Sequence, residues 1–331
     1  MALKVAINGT GRIGIIVAKI IAERSDIELV ALNTTSKPEM LEYLLKFDSV
    51  HRGIDAKVID ENTIAIGGKN VRMFRDRNIE NVDFGSMGAE IVIECTGVFL
   101  DQESCQKHLK NGVKKVIMSA PAKDDSPTYV YGVNSDAYKG EAIISNASCT
   151  TNCLGPICKV LDDAFGIENA LMTTIHSYTN DQNILDVKHA KDPRRARAAA
   201  LNMIPTSTGA AKAIGKVMPH LLGKLNGYAM RVPTPDVSVV DLTANLSTTV
   251  TKEDIHAAFN TASTGAFKGL IEVDTDKRVS CDFIGSTFSA TYVPDMTSVV
   301  NGTTVKVLAW YDNEWGYSSR LVDMTVLIGT H

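Results

Sequence analysis

One glycine-rich turn constrains this chain more than any other feature, because it joins an apolar strand to a helix. Residues 3–8 (Leu-Lys-Val-Ala-Ile-Asn) predict a short buried strand, and Ile13–Ala22 follows the period of a helix. Residues 9–14, between them, read Gly-Thr-Gly-Arg-Ile-Gly and fit G-x-G-x-x-G. Glycines let a backbone approach a pyrophosphate, and the helix N-terminus offers free N–H groups to it. An ordinary β–α turn has the same glycines, but the strand and helix around this one favour dinucleotide binding.

Apolar segments continue this alternation through the first half of the chain. Strands are predicted at residues 27–33, 71–74, 91–94, 116–119 and 142–146, with helix-like segments between several of them. Strand, helix and strand at this spacing indicate parallel pairing with right-handed crossovers. We therefore expect an α/β fold whose first part, residues 1–148, is a Rossmann-type dinucleotide-binding domain.

The pattern changes after residue 150. A helix is predicted from about 150 to 165, and a polar, basic loop at 178–201. Segments rich in Val, Thr and Ser then alternate with period two, at residues 238–246, 269–273, 286–293 and 304–311. They predict a second, α+β domain over residues 149–314 with a mixed, mainly antiparallel sheet. A helical period returns at 316–328, so a C-terminal helix within 315–331 is expected to join the first domain.

Composition limits the class of protein. With 331 residues, of which 44% are hydrophobic, the chain is long enough to bury a large core without disulfides or metals. The net charge is only −4 with no basic stripe, so we expect no nucleic-acid partner. No apolar run reaches the length of a bilayer and no signal-peptide pattern precedes the first strand, so we expect no membrane partner and a cytoplasmic location. The six cysteines follow no disulfide or zinc spacing, which predicts reduced thiols and no metal site.

One of those cysteines has an unusual setting. Cys149 stands between a predicted strand and a predicted helix, with the hydroxyls of Ser148 and Thr150 on either side. The dipole at a helix N-terminus favours a thiolate, and the hydroxyls suit an oxyanion or a phosphate. Most single cysteines are small buried hydrophobes, and Cys153, one turn later, is expected to face inward as such. Position and neighbours favour Cys149 as a nucleophile.

The segment Ser-Cys-Thr-Thr-Asn-Cys at 148–153, taken with the glycine turn, resembles the phosphorylating glyceraldehyde-3-phosphate dehydrogenase family. The likeness covers the whole chain, with further matching segments at residues 44–51, 173–179, 194–200, 205–213, 231–235 and 310–318. The resemblance implies oxidation of glyceraldehyde 3-phosphate to 1,3-bisphosphoglycerate with NAD or NADP and inorganic phosphate. It also implies a catalytic second domain and a homotetramer.

The resemblance assigns roles to single residues. Cys149 matches the nucleophile, and His176 matches the base, for which an imidazole with a pKa near neutrality is suited. The attacking phosphate is assigned to Ser148, Thr150, Thr208, Gly209 and Arg231, and the substrate phosphate to Thr179, Asp181, Arg195 and Arg231. Cofactor contacts are expected at Gly9, Gly11, Arg12, Ile13, Gly14, Asn33, Thr34, Arg77, Thr96, Gly97, Ser119 and Asn313. Asn313 matches the residue that orients the nicotinamide carboxamide.

Two departures from the family pattern concern the cofactor. The second strand ends in Asn33-Thr34, where NAD-specific members carry a carboxylate for the ribose 2′-hydroxyl. Near Val187-Lys188, where those members commonly carry a Leu-Pro or Gly-Pro pair, this chain has a lysine. In the family this loop approaches a neighbouring subunit's adenosine ribose. A missing carboxylate and an added cation both favour a 2′-phosphate. NAD alone and NADP use both remain open, and we hypothesise dual use.

Two rival functions remain. Erythrose-4-phosphate dehydrogenase shares the architecture and the cysteine–histidine pair but releases its thioester with water. A non-catalytic dinucleotide-binding regulator is expected to lack Cys149, His176 or Arg231, and all three are present. The intact candidate phosphate residues favour the phosphorylating dehydrogenase over both.

Overall fold

The chain forms two compact units in the computed structural model, which describes residues 2–331. One unit comprises the chain through Tyr131, Ser135–Ser148 and Ser318–His331. The other comprises Gly132–Asn134 and Cys149–Tyr317. The domains expected from the sequence, 1–148 and 149–314 with the C-terminal helix joining the first, stay a prediction; the two units divide after Ser148 and again after Tyr317, within the last helix. Gly132 packs on the side chain of Leu270, which accounts for the three residues that fall in the second unit.

The first unit is built on a sheet of eight strands among the described residues. The strands are β1 (Leu3–Asn8), β2 (Ile27–Asn33), β3 (Ala56–Asp60), β4 (Thr63–Ile66), β5 (Lys69–Phe74), β6 (Ile91–Glu94), β7 (Lys115–Met118) and β8 (Ile143–Ser145). Their order is β3-β4-β5-β2-β1-β6-β7-β8, and pairing is parallel from β5 onward. The Rossmann-type expectation is confirmed. Two antiparallel strands, β3 at the edge of the sheet and β4 beside it, were not predicted from the sequence, because both are short and half exposed.

Helices cover this sheet. They are α1 (Arg12–Ala22), α2 (Pro38–Lys46) and α3 (Gln102–Gln106), with single 3-10 turns at Ile79–Asn81, Gly85–Met87 and Ser135–Ala137. Helix α1 is mostly apolar and is buried on nearly all sides, with Ile16, Val17 and Ile21 among the buried side chains. Burying each such side chain stabilises the unit by roughly 1.5–3 kcal/mol, so apolar packing fixes the place of the helix on the sheet. That placement brings the N-terminus of α1 to the carboxyl end of β1.

The second unit holds another sheet of eight strands within the described residues. These are β9 (Ile167–Ser177), β10 (Ile204–Ser207), β11 (Leu225–Val232), β12 (Ser238–Leu246), β13 (Ile271–Val273), β14 (Ala290–Tyr292), β15 (Ser298–Val300) and β16 (Thr304–Tyr311). The order is β10-β11-β9-β12-β16-β14-β13, with β15 also on β16. Only the β9–β11 and β13–β14 pairs are parallel among these strands, so the prediction of a mixed, mainly antiparallel sheet is confirmed.

The helices of the second unit are α4 (Cys149–Phe165), α5 (Ala210–Val217) and α6 (Lys252–Thr264), followed by α7 (Trp315–Gly329), which the unit boundary divides. Single 3-10 turns lie at Pro193–Ala196, Pro219–Leu221, Ser280–Phe283 and Pro294–Met296. Helix α4 packs on α5, α6 and the central strand β12. Behind it, Phe259 stacks on the fully buried Tyr292 at 4.0 Å between ring centroids. Within residues 2–331, no helix has the length and hydropathy to cross a membrane.

Candidate active site

A cavity of about 550 Å³ opens in the first unit at the carboxyl ends of β1, β2 and β6. Parallel strands end at one edge of a sheet, and this edge is where such folds bind nucleotides. Of the predicted cofactor residues, those that line the cavity are Gly9, Gly11, Asn33, Thr34, Arg77 and Thr96. Arg12, Ile13, Gly14, Gly97 and Ser119 belong to the same unit but are not part of this lining. Asn313 lies in the other unit.

The glycine turn has the geometry that the motif requires. Gly9 has a φ of 97°, which a side chain disfavours, and a Cβ there would lie 2.8 Å from the backbone nitrogen of Thr96. A Cβ on Gly14 would collide with the carbonyl oxygen of Gly9. Gly11 is the N-cap of α1, and no side chain caps the first N–H groups of this helix. A helix start without a side-chain cap fits an anion such as a cofactor pyrophosphate.

The polar side chains at the second strand end are bonded to the protein itself. Asn33 donates from Nδ2 to Asn8 Oδ1 and to the carbonyl oxygen of Asp76, each at 2.8 Å. The hydroxyls of Thr34 and Thr10 share a hydrogen bond of 2.6 Å, and the Ser36 N–H donates to Thr34 Oγ1 at 3.0 Å. Thr34 is buried as well. Its hydroxyl therefore shapes the cavity wall rather than reaching into the cavity.

Arg12 has a second partnership that the sequence did not predict. Its guanidinium lies 3.0 Å from Asp48, and the buried ammonium of Lys19 lies 3.0 Å from the other oxygen of the same carboxylate. Burial raises the pKa of Asp48, but N–H donors from Val50 and His51 and the two cations more than offset this and hold the pKa well below its usual range. The carboxylate is thus ionised and fixes the side chain of the residue that begins α1.

The second unit presents Cys149 at the first position of α4. Ala147, two residues earlier, has a φ of 57°, which is uncommon for a residue with a side chain, and its N–H donates to Ser145 Oγ at 3.1 Å. This turn takes the chain from the end of β8 directly into the helix. Cys149 Sγ lies 3.5 Å from His176 Nε2. The predicted nucleophile and base are therefore in contact.

Strand pairing brings the third partner to the same place. His176 and Arg231 face one another in the parallel pair of β9 and β11. His176 Nδ1 lies 2.7 Å from the carbonyl oxygen of Ser177, and Arg231 Nη1 lies 2.8 Å from that oxygen and from Nδ1. Nδ1 cannot bond both neighbours, because the carbonyl requires a proton there and the guanidinium requires a lone pair. Arg231 Nη1 can direct its N–H to the Ser177 oxygen instead, so we assign the imidazole proton to Nδ1. The lone pair of Nε2 then faces the thiol, which is the arrangement of a base.

Burial sets the protonation states of this pair. It lowers the pKa of His176 to about 3, helped by the positive charge of Arg231. The expectation of a histidine pKa near neutrality was wrong for this buried, neutral imidazole. Burial also raises the pKa of the Cys149 thiol, although Arg231 and the donors of the first helical turn act in the opposite direction. Each charge alone is unfavourable, but moving the proton from Sγ to Nε2 creates two opposite charges in contact.

Residues predicted to hold the attacking phosphate occupy two neighbouring helix starts. Thr150 is buried in the first turn of α4, and its Oγ1 lies 2.9 Å from the hydroxyl of Tyr311. Gly209 is the N-cap of α5 and offers no side chain to cap it, and a Cβ there would meet no atom within 4 Å. Thr208 Oγ1 accepts from the Ala210 N–H, the first of the helix, at 3.2 Å. The Thr208 hydroxyl and the Thr150 hydroxyl are therefore both bonded to the protein in this structure.

The predicted substrate-phosphate residues lie on the loop after β9 and on the 3-10 turn beyond it. Arg195 Nη1 lies 2.6 Å from Asp181 Oδ2, and its Nε donates to Thr206 Oγ1 at 2.8 Å. Arg195 and Asp181 are also close enough to shift the pKa of Arg231, in opposite directions, although burial is the largest cause of its lowered value. These three charged groups therefore belong to one neighbourhood. Thr179 lies at the start of the same loop, half-buried.

Asn313 is buried in the second unit, and its orientation is defined. Its Oδ1 accepts from Ser177 Oγ at 2.8 Å and from Ser238 Oγ at 2.7 Å. Because both hydroxyls donate to Oδ1, the amide nitrogen is the polar atom left to donate to a ligand. A carboxamide oxygen is an acceptor that suits such a donor.

A dinucleotide-type cavity on one unit and a cysteine–histidine pair at a helix start on the other define a class of protein. It is the class of nicotinamide-dependent oxidoreductases that act through a thiol.

Comparison with known proteins identifies the family within this class. Residues 3–102 match the family profile described as glyceraldehyde 3-phosphate dehydrogenase, NAD binding domain, and residues 148–313 match the C-terminal domain of that family. The chain is 52% identical to glyceraldehyde-3-phosphate dehydrogenase of Geobacillus stearothermophilus, over 100% of this chain and 99% of the relative. It is 51% identical to glyceraldehyde-3-phosphate dehydrogenase 1 of Bacillus subtilis (strain 168), over 99% and 98%. It is also 51% identical to the chloroplastic glyceraldehyde-3-phosphate dehydrogenase A of Zea mays, over 97% of this chain and 81% of the relative. The chain belongs to the glyceraldehyde-3-phosphate dehydrogenase family, as its sequence motifs indicated.

Several residues of these sites were missed by sequence reasoning. Tyr311 bonds Thr150 and also lies 2.8 Å from Thr174 Oγ1, yet the sequence suggested only that it ends a strand. Ser177 and Ser238, which orient Asn313, are ordinary strand serines by pattern. His189 Nε2 lies 3.3 Å from Asp181 Oδ1, in a loop whose register no periodicity defines. Partners of this kind become visible only when distant strands are paired.

Proposed function

We propose that this protein oxidises glyceraldehyde 3-phosphate to 1,3-bisphosphoglycerate through a thioester on Cys149, with inorganic phosphate as the acyl acceptor and NAD as hydride acceptor. One observation carries the proposal. Cys149 Sγ stands at a helix N-terminus, 3.5 Å from the Nε2 lone pair of His176. The names of the relatives and the NAD-binding profile support the same substrate and cofactor.

The cysteine–histidine contact supports each proton transfer. Cys149 Sγ bonds to the aldehyde carbon, and its proton passes through His176 Nε2 to the aldehyde oxygen, which gives a neutral hemithioacetal. Nε2 then takes the hydroxyl proton back as the carbon loses hydride, and a thioester remains. Bound NAD supplies the acceptor for that hydride. An oxygen of phosphate then attacks the thioester carbon, and the departing Cys149 sulfur regains its proton from Nε2.

The charged groups near Arg231 support two anion sites. We assign the attacking phosphate to Ser148, Thr150, Thr208, Gly209 and Arg231, with support from the glycine at the start of α5 and from the guanidinium of Arg231 on β11. We assign the substrate phosphate to Thr179, Asp181, Arg195 and Arg231. Arg195 already bonds the carboxylate of Asp181, so Asp181 orients the guanidinium rather than contacting the phosphate.

For the cofactor we assign the pyrophosphate to the glycine turn and the uncapped start of α1, with Arg12 and Ile13 contributing backbone N–H groups. Thr96, Gly97 and Ser119 border the cavity edge in this proposal. Asn313 would donate its amide N–H to the nicotinamide carboxamide, because its oxygen is taken by two serines.

We also propose that the protein accepts NADP beside NAD. The hydroxyl of Thr34 is bonded to Thr10 and to the Ser36 N–H, so it is not the group that we expect to bind a 2′-phosphate. Thr34 favours NADP because it places no carboxylate there to repel that phosphate. Thr35, Ser36 and Arg77 line the same cavity and bring donors suited to a 2′-phosphate. Lys188 is exposed on the loop of the second unit and would act from a neighbouring subunit.

A homotetramer is proposed with support from one exposed sheet face. Leu171 on β9 is 67% exposed and Tyr228 on β11 is 50% exposed, and both point to the same side of adjacent strands. Apolar side chains collected on one face are typical of an interface, here with a second copy of the chain. The mass of the particle by light scattering tests this assignment.

We propose a cytoplasmic location because the chemistry requires reduced Cys149, and all six cysteines are free. Fractionation of cells that express the protein tests it.

A steady-state assay tests the main proposal. Glyceraldehyde 3-phosphate is supplied with and without phosphate, using NAD and NADP in turn. Turnover that depends on phosphate supports the phosphorylating reaction. Turnover of erythrose 4-phosphate that does not depend on inorganic phosphate would instead identify an erythrose-4-phosphate dehydrogenase. Cofactor binding without any turnover would identify a regulator. A preference for NAD above about a hundredfold in kcat/KM would refute dual cofactor use.

A further inference from the structure

Glu94 ends β6 with a carboxylate that no part of the proposed chemistry uses. Its side chain is 0% exposed, so it cannot touch a ligand in the cavity. Glu94 Oε2 accepts from Asn8 Nδ2 at 2.6 Å and lies 3.2 Å from His108 Nε2. Glu94 Oε1 accepts from the Thr96 N–H at 2.7 Å and from the Thr96 hydroxyl. A buried charge with four partners at a strand end is costly to keep unless it holds something in place.

The partners of Glu94 are walls of the cofactor cavity. Asn8 and Thr96 both line it. Asn8 Oδ1 accepts from Asn33 Nδ2 at 2.8 Å, and Asn33 accepts in turn from the Asp76 N–H at 3.1 Å. One hydrogen-bonded chain therefore runs from Glu94 through the ends of β6, β1 and β2. Asn8, Asn33 and Asp76 form part of the cavity surface, whereas Glu94 is fully buried and holds Asn8 in place through their hydrogen bond.

The close approach of Gly9 to Thr96 connects Glu94 to the glycine turn. A Cβ at Gly9 would lie 2.8 Å from the Thr96 nitrogen and 2.9 Å from its Cγ2. The turn and Thr96 are thus as close as two backbones can pack, and Glu94 binds Thr96 at both its N–H and its hydroxyl. A small movement of Thr96 would change the position of the glycine turn.

His108 completes the set of donors. Its ring lies between Phe84 and Phe99, at 5.9 Å and 6.3 Å between centroids, and its Nδ1 has no hydrogen-bond partner among the described residues. Carboxylate oxygens only accept when ionised, so we assign the imidazole proton to Nε2, where it donates to Glu94. All four groups around the carboxylate are then donors.

We propose that Glu94 is a positioning residue for the cofactor: through Asn8 and Thr96 it sets the shape of the cavity, and His108 holds it in register. The inference rests on the proposed function, because it requires that this cavity bind NAD. Glu94 acts through its partners and touches no reacting atom.

Glu94→Gln tests the proposal, because it replaces one acceptor oxygen with a donor that faces Asn8 and His108. We expect the Kd for NAD, measured by calorimetry, to rise at least about tenfold, as for loss of a charge-assisted hydrogen bond. KM for NAD should rise in parallel, whereas kcat at saturating NAD and the alkylation rate of Cys149 in the cofactor-free protein should stay within about twofold. Glu90→Gln is the matched control, since its exposed carboxylate pairs with Lys114, and it should bind NAD like the wild type.

A rescue separates positioning from general stability. Asn8→Asp alone places two carboxylates in contact and should weaken NAD binding. In the double variant Asn8→Asp/Glu94→Gln, donor and acceptor are exchanged, and most of the lost affinity should return. If the double variant binds NAD as weakly as the worse single variant, or if Glu94→Gln binds like the wild type, the proposal is overturned.

A second pair of variants decides the matter if Glu94→Gln does not fold. His108→Gln keeps an N–H donor toward Glu94, whereas His108→Leu has none. The Leu variant should bind NAD several-fold more weakly than the Gln variant, as loss of a buried hydrogen bond predicts. Equal Kd values would overturn the role of His108 and of the network. A wild-type protein that binds no NAD would overturn the proposed function itself, which the calorimetric trace of the wild type shows first.

Discussion

The two predicted sites use buried polar groups in opposite ways. At the strand ends of the first unit, Glu94, Asn8 and Asn33 satisfy one another, so each donor meets an acceptor of the protein itself. In the second unit, Cys149 and His176 meet in a contact where a proton can move. A site that binds a large cofactor needs a fixed surface, whereas a site that makes and breaks bonds needs groups whose charge state can change.

Charge follows the same division. Asp48 is buried but ionised, because Lys19 and Arg12 and two backbone N–H groups surround it. His176 is also buried but neutral, because burial disfavours an imidazolium and the nearby charge of Arg231, which has the same sign, adds to this effect. Burial favours the neutral form of both groups, and the charges around each group decide whether that preference is overcome. Variants at each site test this difference.

The largest effect is expected from Cys149→Ser. A serine hydroxyl beside a neutral imidazole is a much weaker nucleophile toward the aldehyde carbon than the cysteine thiol. We therefore expect kcat to fall at least about 10⁴-fold. The Kd for NAD should not change, because none of the residues that line the cavity is altered. Cys281→Ser, at an exposed thiol of the second unit, is the control and should keep full turnover. Turnover of Cys149→Ser within tenfold of wild type would refute the thioester route.

His176→Asn should reduce kcat by about 10² to 10⁴, the range for loss of a general base. Alkylation of Cys149 by iodoacetamide at pH 7 should also slow, because the thiol loses the group that takes its proton. His220→Asn removes an exposed histidine paired with Asp162 and should change neither rate. An unchanged alkylation rate in His176→Asn would show that Cys149 ionises without its neighbour.

Asp48→Asn should lower the free energy of unfolding by about 3–5 kcal/mol, because it leaves the ammonium of Lys19 buried without a counter-charge. Urea unfolding measures this. Asp26→Asn is the control: that carboxylate is half exposed beside Arg24, and a surface pair of this kind contributes about 1 kcal/mol or less.

The pH dependence of the same variant has a defined sign. The pKa of Asp48 is lowered in the folded protein, so its stabilisation is fully present above the ordinary carboxyl pKa of about 3.9. It is lost as pH falls from there through the folded-state pKa. The stability difference between wild type and Asp48→Asn should therefore be constant near neutrality and shrink below about pH 4. A difference that grows in acid would contradict an ionised, paired Asp48.

The smallest effect is expected from Tyr311→Phe. The hydroxyl of Tyr311 lies between Thr174 and Thr150, and it can accept from the first while it donates to the second. Thr150 is then free to donate to the phosphate. Loss of this orienting bond should raise KM for phosphate about fivefold with little change in kcat, as for one hydrogen bond of about 1 kcal/mol. Tyr292→Phe removes a buried hydroxyl bonded to Thr297 and should leave KM for phosphate unchanged.

Local patterns predicted much of the fold and the identities of the principal groups. The predicted strand at 3–8 is β1, and the strand predicted at 304–311 is β16. Short or half-exposed elements such as β4 and β10 were missed, since four residues carry too little periodicity to be distinguished from a loop. The strands predicted at 269–273 and 286–293 shorten to β13 and β14, three residues each, because pairing with a neighbour, not apolarity, decides where a strand ends.

The sequence by itself determined the glycine turn, the cysteine at a helix start and the family, because each is written in contiguous residues. Tertiary structure alone decided which groups meet. His176 faces Arg231 only because β9 and β11 pair in one register, and Glu94 reaches Asn8 only because β6 lies beside β1. Protonation follows from those meetings, since burial and the sign of a neighbouring charge are properties of the folded chain.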